Sequence, residues 1–384
     1  MIFLDNNSTT PLDKTVKDQM MVSLTENFGN PHSNFHKYGL ESKEILEQSR
    51  SIIADYFSVD SGNVVFTSGA TESNNLMIQG AALKAKSDKN KRNKIFCSAI
   101  EHKCVLDSVK FCSEIGFEIE IIPVTKDGLI DINLLSGKID EKTLLVSVMA
   151  VNNETGLRTN IEEIGDLCKK HDVFFHSDIA QALHGEKFNI SESNIDAVSV
   201  SGHKINGPKG IGCLIFNGTP SDFIKPITYG GLQEQDIRSG TSPVFLAVGI
   251  GSAFEILNRD FIKFRNHTIN LKNQFLLEIA KLTNDIYPNF TKLDAHPGTV
   301  NLYMKNVDAD MMCMRLGDKV AVSSTAACNG MDFEYSYVLK NMGLSKDIAK
   351  SSVRLCFGRQ NSNDEAIEAA NIIVEEYKFI KESL

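Results

Sequence analysis

The stretch of the sequence with the clearest chemical potential surrounds Lys204. Residues 198–201 alternate valine and serine as a buried strand does, and the glycines and proline of residues 202–212 predict a tight loop directly after it. A lysine kept near a domain interior by such a loop is more easily deprotonated and can form a Schiff base. An isolated loop lysine is usually solvated, so this role depends on the other residues that accompany Lys204.

A second candidate site lies at residues 68–73, Ser-Gly-Ala-Thr-Glu-Ser, which open a predicted helix with small and hydroxyl side chains. Backbone N–H groups at a helix start bind anions. The motif is not a Walker loop, because Gly-x-x-x-x-Gly-Lys-Ser/Thr occurs nowhere in the chain. Alone, the turn is compatible with an ordinary N-cap. Together with Ser201 and His203, it is a candidate binding site for one phosphate.

Asp178 follows a strongly apolar predicted strand at residues 173–176. A buried carboxylate needs a cation or hydrogen-bond donors, and a protonated ring nitrogen meets that need. Alone, Asp178 is more typical of a helix N-cap after the strand. However, a Schiff-base lysine, an acid facing a pyridinium nitrogen and a phosphate cradle together form the set that pyridoxal 5′-phosphate (PLP) requires. The sequence therefore predicts PLP as the cofactor.

These residues are expected to meet because strands and helices alternate along the first two thirds of the chain. The pattern predicts an α/β fold with a mainly parallel seven-stranded sheet between helices, in which ligands bind outside the carboxyl ends of the strands. The predicted strands are residues 64–66, 95–97, 118–124, 144–151, 173–176, 198–201 and 213–216. The polar residues that directly follow strands are Ala70/Thr71, His102, Asn153, Asp178 and Lys204.

The pattern changes after about residue 255, where a long helical stretch and a few short strands predict a smaller α+β domain. We expect residues 15–255 to form the large cofactor-binding domain, and residues 1–14 with 256–384 to form the small domain. Two helices carry a capping-box pattern, Asn160 with Glu163 and Ser362 with Glu365.

Composition excludes several other classes of protein. The net charge of −9 over 384 residues argues against direct nucleic-acid binding, which needs a basic surface. No apolar stretch is long enough to span a bilayer, and no signal peptide is visible at the N-terminus. The eight cysteines contain no CxxC pair, so we expect neither a metal site nor a disulfide framework. A reducing cytoplasm fits this pattern best.

Taken together, the motifs resemble those of the cysteine desulfurases of the NifS/IscS type, in the aspartate-aminotransferase-like superfamily of PLP-dependent enzymes of fold type I. The resemblance extends over nearly the whole chain, in order and at family spacing. The motifs that carry it are Leu4-Asp5, Gly29-Asn30-Pro31, residues 67–74, Glu101-His102, residues 151–154, residues 178–181, Ser201-Gly202-His203-Lys204, residues 230–234, residues 238–241, Ala326-Ala327-Cys328 and residues 354–359.

The resemblance implies a role for each matched residue. Lys204 corresponds to the Schiff-base lysine, His102 to the imidazole stacked on the cofactor, and Asp178 to the partner of the pyridinium nitrogen. Gln181 is expected to reach the ring hydroxyl. The remaining expected cofactor contacts are Ala70, Thr71, Ser201 and His203 around the phosphate, Asn153, and Thr241, which the family supplies across a homodimer interface.

The resemblance also implies a substrate and a reaction. Arg354, with Asn153 beside it, is expected to hold the carboxylate of L-cysteine, for which a planar guanidinium is well suited. Cys328, in a mobile loop of about residues 322–334, is expected to take the sulfur as a persulfide and to release L-alanine. The sulfur then passes to an acceptor: an iron–sulfur scaffold, a tRNA-thiolation protein or a DNA-phosphorothioation complex.

The sequence departs from the family pattern at three places. Ser8 stands where alanine is commoner, Leu232 replaces a glycine, and Thr325-Ala326 replaces Gly-Ser in the cysteine loop. Two alternatives share most of the motifs: a selenocysteine lyase, and an aminotransferase that would not need Cys328. A non-catalytic scaffold on the same fold is a third, although Lys204, Asp178 and Cys328 are all present.

Overall fold

The computed structural model describes residues 1–291, 296–324 and 335–383, in which helices alternate with strands as expected. The helices are α1 (Lys14–Glu26), α2 (Lys37–Phe57), α3 (Ala70–Ser87), α4 (Lys103–Glu114), α5 (Ile132–Lys138), α6 (Ile161–Lys170), α7 (Pro220–Phe223), α8 (Val244–Leu282), α9 (Ala309–Leu316), α10 (Tyr337–Asn341), α11 (Lys346–Lys350) and α12 (Asn363–Ser383). The strands are β1 (Ile2–Phe3), β2 (Val64–Thr67), β3 (Lys94–Ser98), β4 (Glu118–Ile122), β5 (Thr143–Ser147), β6 (Phe174–Asp178), β7 (Ala197–Ser201), β8 (Gly212–Phe216), β9 (Ile286–Pro288), β10 (Thr299–Met304), β11 (Val320–Ala321), β12 (Ser323–Ser324) and β13 (Ser352–Cys356). In these ranges no helix has both the length and the apolar composition needed to cross a membrane.

A seven-stranded sheet, all of whose strands lie in the described residues, forms the centre of the molecule. Its order is β2-β8-β7-β6-β5-β3-β4, and β8 runs antiparallel to both of its neighbours. The remaining pairs are parallel. The predicted fold class, a mainly parallel sheet in an α/β protein, is confirmed.

Alternate side chains of each central strand enter two different hydrophobic cores. In β2, Phe66 packs with α2 and α8 on one face, whereas its neighbour Val65 packs with α3 and α4 on the other. In β8, Ile215 and Leu214 divide in the same way. This two-residue period follows from strand geometry, and apolar residues in both registers explain why these strands read as continuous apolar runs.

A second sheet, β12-β13-β10-β9, is antiparallel, and a short parallel pair joins β1 to β11. Its core includes Ile2 and Leu4 from the N-terminus together with apolar residues of α9 and α12. Helix α8 contributes to both ends of the molecule: Phe254 packs in the first core and Phe275 in this one. The N-terminal residues therefore lie against the C-terminal third of the chain.

The two predicted capping boxes have different outcomes. At α12, Ser362 N–H donates to Glu365 Oε2 at 2.9 Å and Glu365 N–H donates to Ser362 Oγ at 3.1 Å, so this box is confirmed. At α6, Asn160 is the N-cap residue but caps no backbone N–H with its side chain. Its amide instead bonds the main chain of Ile130, 30 residues earlier, so the second box was a wrong prediction.

Candidate active site

A pocket of about 520 Å³ lies at the carboxyl ends of the central strands. This is the edge at which a parallel sheet binds ligands. Every predicted site residue in the described part of the chain lines it, except Thr241: Ala70, Thr71, His102, Asn153, Asp178, Gln181, Ser201, His203, Lys204 and Arg354. The volume is in the range of small-molecule and cofactor sites.

The pocket floor is the turn between β2 and α3. Gly69 precedes α3 with a φ of 153° and offers no side-chain cap, so the first N–H groups of the helix have no side-chain acceptor from that position. A Cβ on Gly212 would lie 2.6 Å from Gly69 Cα, so only glycine lets β8 approach this turn closely. Ser201 ends β7, the strand next to β8, and His203 lies in the turn that follows. Both residues line the same pocket. This arrangement suits an anion such as a phosphate.

His203 is neutral at physiological pH. Burial, followed by the charges of Lys204 and Lys209, lowers its pKa to about 4. Its Nδ1 lies 3.1 Å from the hydroxyl of Thr9. A neutral imidazole can donate one hydrogen bond while accepting another, so His203 can bind an anion as a donor without bringing a charge.

Asp178 ends β6 and is 7% exposed. Its carboxylate accepts a hydrogen bond from Asn74 Nδ2 at 2.7 Å and from the N–H of Ala180 at 2.9 Å. Both of these partners are neutral donors, and the carboxylate lines the pocket. A buried carboxylate with neutral partners is suited to a cationic ring nitrogen in the pocket.

His102 caps α4 and is connected to Asp178 through two further side chains. The N–H of Cys104 donates to His102 Nδ1 at 3.3 Å, and the Cys104 sulfur lies 3.0 Å from the same nitrogen. The ring proton of the neutral form is therefore on Nε2. Asn74 Nδ2 donates to Cys104 Sγ at 3.1 Å, which completes the link to Asp178. Burial lowers the pKa of His102, with the charge of Asp178 acting in the opposite direction.

Lys204 lies in a short 3₁₀ turn, Gly202–Lys204, directly after β7. Its Nζ donates to the main-chain oxygen of Asn7 and, at 3.0 Å, to that of Ser8. Gln181 Nε2 also donates to the Asn7 oxygen, at 2.8 Å. The N-terminal segment thus covers the lysine that the sequence analysis placed at the centre of the chemistry.

Arg354, in β13, forms the opposite side of the pocket. Its Nη2 donates to Asp5 Oδ1 at 2.8 Å and its Nη1 to the carbonyl of Asn153 at 3.1 Å. The arginine is 3% exposed, and its Nε has no acceptor among the described residues. A buried guanidinium with unused donors is suited to a carboxylate ligand.

We call the strand-end residues Asp178, Ser201 and Lys204 the sheet wall. The N-terminal wall comprises the lining residues Asn7, Ser8 and Arg354 of β13, together with Asp5, which pairs with Arg354 but does not itself line the pocket. The central sheet positions the backbone of the sheet wall, and the Lys204 side chain also contacts the main chain of Asn7 and Ser8. The N-terminal wall joins the first residues of the chain to a strand near its end.

Two buried carboxyl groups, Glu101 and Glu154, lie behind the pocket. Burial raises the pKa of Glu101 to about 8 and that of Glu154 to about 7. For Glu154, the hydroxyl of Ser336 and the charge of Arg354 act in the opposite direction. Ser336 donates to Glu154, and the Tyr337 hydroxyl donates to the main-chain oxygen of Glu101 at 2.5 Å. The start of α10 is therefore attached to the rear of the site.

Of the two remaining predicted site residues, one is described and does not line this pocket, and the other lies outside the described residues. Thr241 lies in the loop before α8, is exposed, and is not among the residues that line the cavity. Cys328 lies outside the described residues, as does most of the predicted loop at 322–334.

The donor set fits PLP. The chain offers an amine at Lys204, a carboxylate with neutral partners at Asp178, and an imidazole at His102. The start of α3, which has no side-chain cap, can hold a phosphate together with Ser201 and His203. These are the groups that this cofactor requires, and they line one cavity.

Sequence reasoning missed several residues that contribute to the site. Asn74 and Cys104 connect the buried groups, and the main-chain oxygens of Asn7 and Ser8 hold the lysine. The run of polar residues Asp5-Asn6-Asn7-Ser8 is the one signal in the sequence that could have indicated a buried role for the N-terminal segment.

Comparisons with known proteins agree with this site. A family model for the class-V aminotransferases matches residues 2–368. Cysteine desulfurase IscS of Rickettsia typhi is 42% identical over 372 residues, covering 97% of this chain and 90% of that protein. The X-ray structure of a NifS-like protein from Rickettsia africae ESF-5 matches with a TM-score of 0.87 at 30% identity, covering 98% and 99% of the two chains. The structure of SspA in complex with cysteine matches with a TM-score of 0.82 at 32% identity, covering 94% and 100%.

The chain therefore belongs to the class-V aminotransferase family, a family of PLP-dependent enzymes. Both the fold and the donor set of the pocket agree with that class. Within it, the chain belongs to the cysteine desulfurases, because its identity to them is about 40% over nearly the full length.

Proposed function

We propose that this enzyme removes sulfur from L-cysteine, releases L-alanine, and leaves the sulfur as a persulfide on Cys328. The observation that carries the proposal is the convergence of Lys204, Asp178 and Arg354 on one pocket. An amine, a carboxylate and a guanidinium from three distant segments meet in one cavity of about 520 Å³, a volume in the range of cofactor and small-molecule sites.

PLP, when bound, serves as the electron sink for the electrons released at the substrate Cα. The chain supplies the groups that hold it and the groups that move protons. Asp178 stabilises the protonated ring nitrogen, and Asn74 keeps the carboxylate in place. Gln181 is proposed to reach the ring hydroxyl, while Ala70, Thr71, Ser201 and His203 are proposed to hold the phosphate.

Lys204 would hold the cofactor through its Nζ, and the same amine is proposed to remove the proton from the substrate Cα. The main-chain oxygens of Asn7 and Ser8 hold this Nζ close to the pocket. His102, with its ring proton on Nε2, is proposed to stack on the ring and to assist proton transfer.

Arg354 is proposed to hold the substrate carboxylate, with Asn153 beside it. The guanidinium is buried and retains donors beyond those bonded to Asp5 and Asn153. Binding the carboxylate here orients the amino acid so that its amine faces Lys204. Orientation of this kind lowers the entropic part of the barrier.

Cys328 is proposed to attack the substrate sulfur as a thiolate. An S–S bond forms and the Cβ–S bond breaks, so that L-cysteine and the enzyme thiol become L-alanine and an enzyme persulfide. The described residues on either side of this segment contact the pocket region: Ser323 pairs with Arg354, and Ser336 donates to Glu154. Cys328 is four residues after Ser324, a length of chain that spans at most about 14 Å.

The active form is proposed to be a homodimer in which each subunit supplies Thr241 to its partner's phosphate site. Thr241 is exposed and lies away from its own pocket. Large apolar side chains are exposed shortly before Thr241 in the sequence, where Tyr229 and Leu232 are each 78% exposed. Others are exposed on α1 and α2. Where such side chains form one contiguous apolar patch, that patch marks a protein interface.

The remaining assignments concern the cell and the domains. We propose an acceptor protein in iron–sulfur cluster assembly or in tRNA or DNA thiolation, and a cytoplasmic location, since the described cysteines are free and mostly buried thiols. We also propose that residues 15–255 form the large domain, and residues 1–14 with 256–384 the small domain.

The test is to incubate the holoenzyme with L-cysteine and a reductant and to quantify alanine and sulfide. Wild type is expected to form both in equal amounts, and Cys328→Ser to form sulfide at less than about a hundredth of that rate. Cys313→Ser, which alters a partly exposed cysteine elsewhere in the chain, is the matched control and should behave as wild type. A Cys328→Ser variant with full activity would contradict the proposal and favour the aminotransferase alternative.

A further inference from the structure

The ion pair between Asp5 and Arg354 lies directly beside the place where the substrate carboxylate is proposed to bind. Nη2 and Oδ1 are 2.8 Å apart, and the side chains of Arg354 and Asp5 are 4% and 16% exposed. Asp5 reaches this place because β-type pairing holds it beside Cys356, two residues beyond Arg354. The arginine therefore already has an anionic partner when the substrate arrives.

Ser8 holds the second oxygen of the same carboxylate. Its hydroxyl lies 2.5 Å from Asp5 Oδ2 and 2.8 Å from the Asp5 main-chain oxygen, and it lines the pocket. Each carboxylate oxygen of Asp5 thus has its own donor: Arg354 on Oδ1 and Ser8 on Oδ2. Ser8 is also a position at which this sequence departs from the commoner alanine, which has no donor to offer.

Arg354 keeps enough donors for a second carboxylate. A guanidinium has five N–H groups. One on Nη1 goes to Asn153 and one on Nη2 goes to Asp5, while Nε has no acceptor among the described residues. A substrate can therefore bind without displacing Asp5, but its carboxylate then lies close to a like charge.

That like charge weakens binding of every amino acid that uses Arg354. The guanidinium attracts the ligand carboxylate while Asp5 repels it, so the pair binds an anion less tightly than a lone arginine. L-cysteine and L-alanine carry the same carboxylate. Weaker carboxylate binding therefore speeds the departure of the product as well as that of the substrate, and such uniform binding contributes nothing to the chemical step.

We propose that Asp5 and Ser8 are positioning residues that set the affinity of Arg354 for the substrate carboxylate. Asp5 fixes the guanidinium and lowers its affinity for a second anion. Ser8 stabilises the Asp5 charge and so weakens its hold on Arg354. This inference rests on the proposed function, in which Arg354 binds the carboxylate.

The test measures binding of two half-substrates to the holoenzyme by calorimetry. 3-Mercaptopropionate has the carboxylate and thiol of cysteine without the amine, and cysteamine has the amine and thiol without the carboxylate. Asp5→Asn keeps an acceptor for Arg354 but removes the charge. It is expected to lower the Kd for 3-mercaptopropionate about three- to tenfold and to leave that for cysteamine within about twofold.

Ser8→Ala is expected to change the Kd for 3-mercaptopropionate in the opposite direction. Without the Ser8 donor, the Asp5 charge is stabilised mainly by Arg354, so the Kd for 3-mercaptopropionate is expected to rise about twofold. This variant leaves the ion pair in place and carries the test by itself if Asp5→Asn does not fold. In steady-state turnover, Asp5→Asn should lower KM for L-cysteine together with kcat, because alanine leaves more slowly.

Asp13→Asn is the matched control. Asp13 pairs with Arg359 at 2.5 Å, with side chains 23% and 12% exposed, and neither residue lines the pocket. This variant should leave both half-substrate affinities unchanged. Equal weakening of both half-substrates by Asp5→Asn, or an unchanged Kd for 3-mercaptopropionate in both variants, overturns the inference. Wild-type release of alanine and sulfide is measured in parallel, and its absence overturns the proposed function instead.

Discussion

The two walls of the pocket are built in different ways. The sheet wall takes Asp178, Ser201 and Lys204 from the ends of neighbouring strands, so regular strand pairing fixes their spacing. The N-terminal wall takes Asp5 and Arg354 from opposite ends of the chain and joins them by an ion pair and a single β-bridge.

Strand pairing therefore fixes the residues of one wall, whereas individual polar contacts hold the residues of the other. A residue of the sheet wall keeps its position as long as the sheet is folded. A residue of the N-terminal wall depends on specific polar partners, as Lys204 Nζ also does when it reaches the oxygens of Asn7 and Ser8. Substitutions in the sheet wall should therefore remove chemistry without loss of fold.

Lys204→Ala is expected to have the largest effect. It removes the amine that carries the cofactor and the proton, so turnover should fall at least about a thousandfold while the thermal midpoint stays near that of wild type. Alanine formation and thermal unfolding are the measurements. Lys187→Ala, at an exposed position 17 residues before Lys204, is the control, and a Lys204→Ala enzyme with a tenth of wild-type activity would contradict the assignment.

Asp178→Asn should be the next in size. The amide preserves shape but removes the charge that stabilises a protonated ring nitrogen, so kcat should fall about a hundredfold and cofactor should dissociate more readily. Equilibrium dialysis of the cofactor, together with turnover, measures this change. The exposed Asp166→Asn variant should match wild type, and unaltered cofactor affinity in Asp178→Asn would exclude the proposed contact.

Glu154→Gln tests whether the buried carboxyl group of Glu154 makes the stability of the folded protein depend on pH. Burial raises the pKa of Glu154 from 4.5 to about 7, so the folded protein holds a proton there that the unfolded chain has lost between these values. Wild-type stability should therefore fall as pH rises from about 5 to 8, by up to about 3 kcal/mol, and the glutamine variant should lack this part of the dependence.

The measurement is the thermal midpoint of both proteins over that pH range. The side-chain carbonyl of the glutamine variant can still accept the hydroxyl of Ser336, so the variant keeps the contact with the start of α10. Glu368→Gln, at an exposed position, serves as the control. Parallel pH profiles of wild type and Glu154→Gln would show that Glu154 does not retain its proton on folding.

Asn74→Leu should have the smallest effect of the four substitutions. It removes a side-chain contact from α3 that supports Asp178 of the sheet wall. Loss of the 2.7 Å hydrogen bond leaves Asp178 with the Ala180 N–H alone, and kcat should fall about tenfold. A positioning role also predicts a changed pH dependence of the cofactor absorbance, which a purely structural role would not produce. Asn75→Ala, one residue along α3, should leave that pH dependence unchanged.

The sequence predicted the sheet wall because its residues obey a general rule. Each follows a short apolar run, and parallel strands end at one edge of the sheet, so Asp178 and Lys204 could be placed together without coordinates. The capping box at Ser362 and Glu365 was predictable for the same reason, since both partners lie within one turn.

The N-terminal wall was not predictable in this way. Arg354 and Asp5 are 349 residues apart in sequence, and no local pattern records an ion pair of that kind. The failed capping box at Asn160 has the same cause. Its side chain bonds the main chain of Ile130, 30 residues away, and the side chain of Glu163, but caps no backbone N–H at the helix start. Long-range side-chain contacts, which depend on the finished fold, are what the sequence did not reveal.

The most direct test of the account is to reduce the holoenzyme with borohydride and to locate the phosphopyridoxyl group by peptide mass spectrometry. The group should be found on Lys204, in the peptide that contains Gly202 and His203, and should be lost from enzyme treated with excess L-cysteine before reduction. A label on another lysine, or no covalent label on yellow holoenzyme, would contradict the central claim that Lys204 holds the cofactor in this pocket.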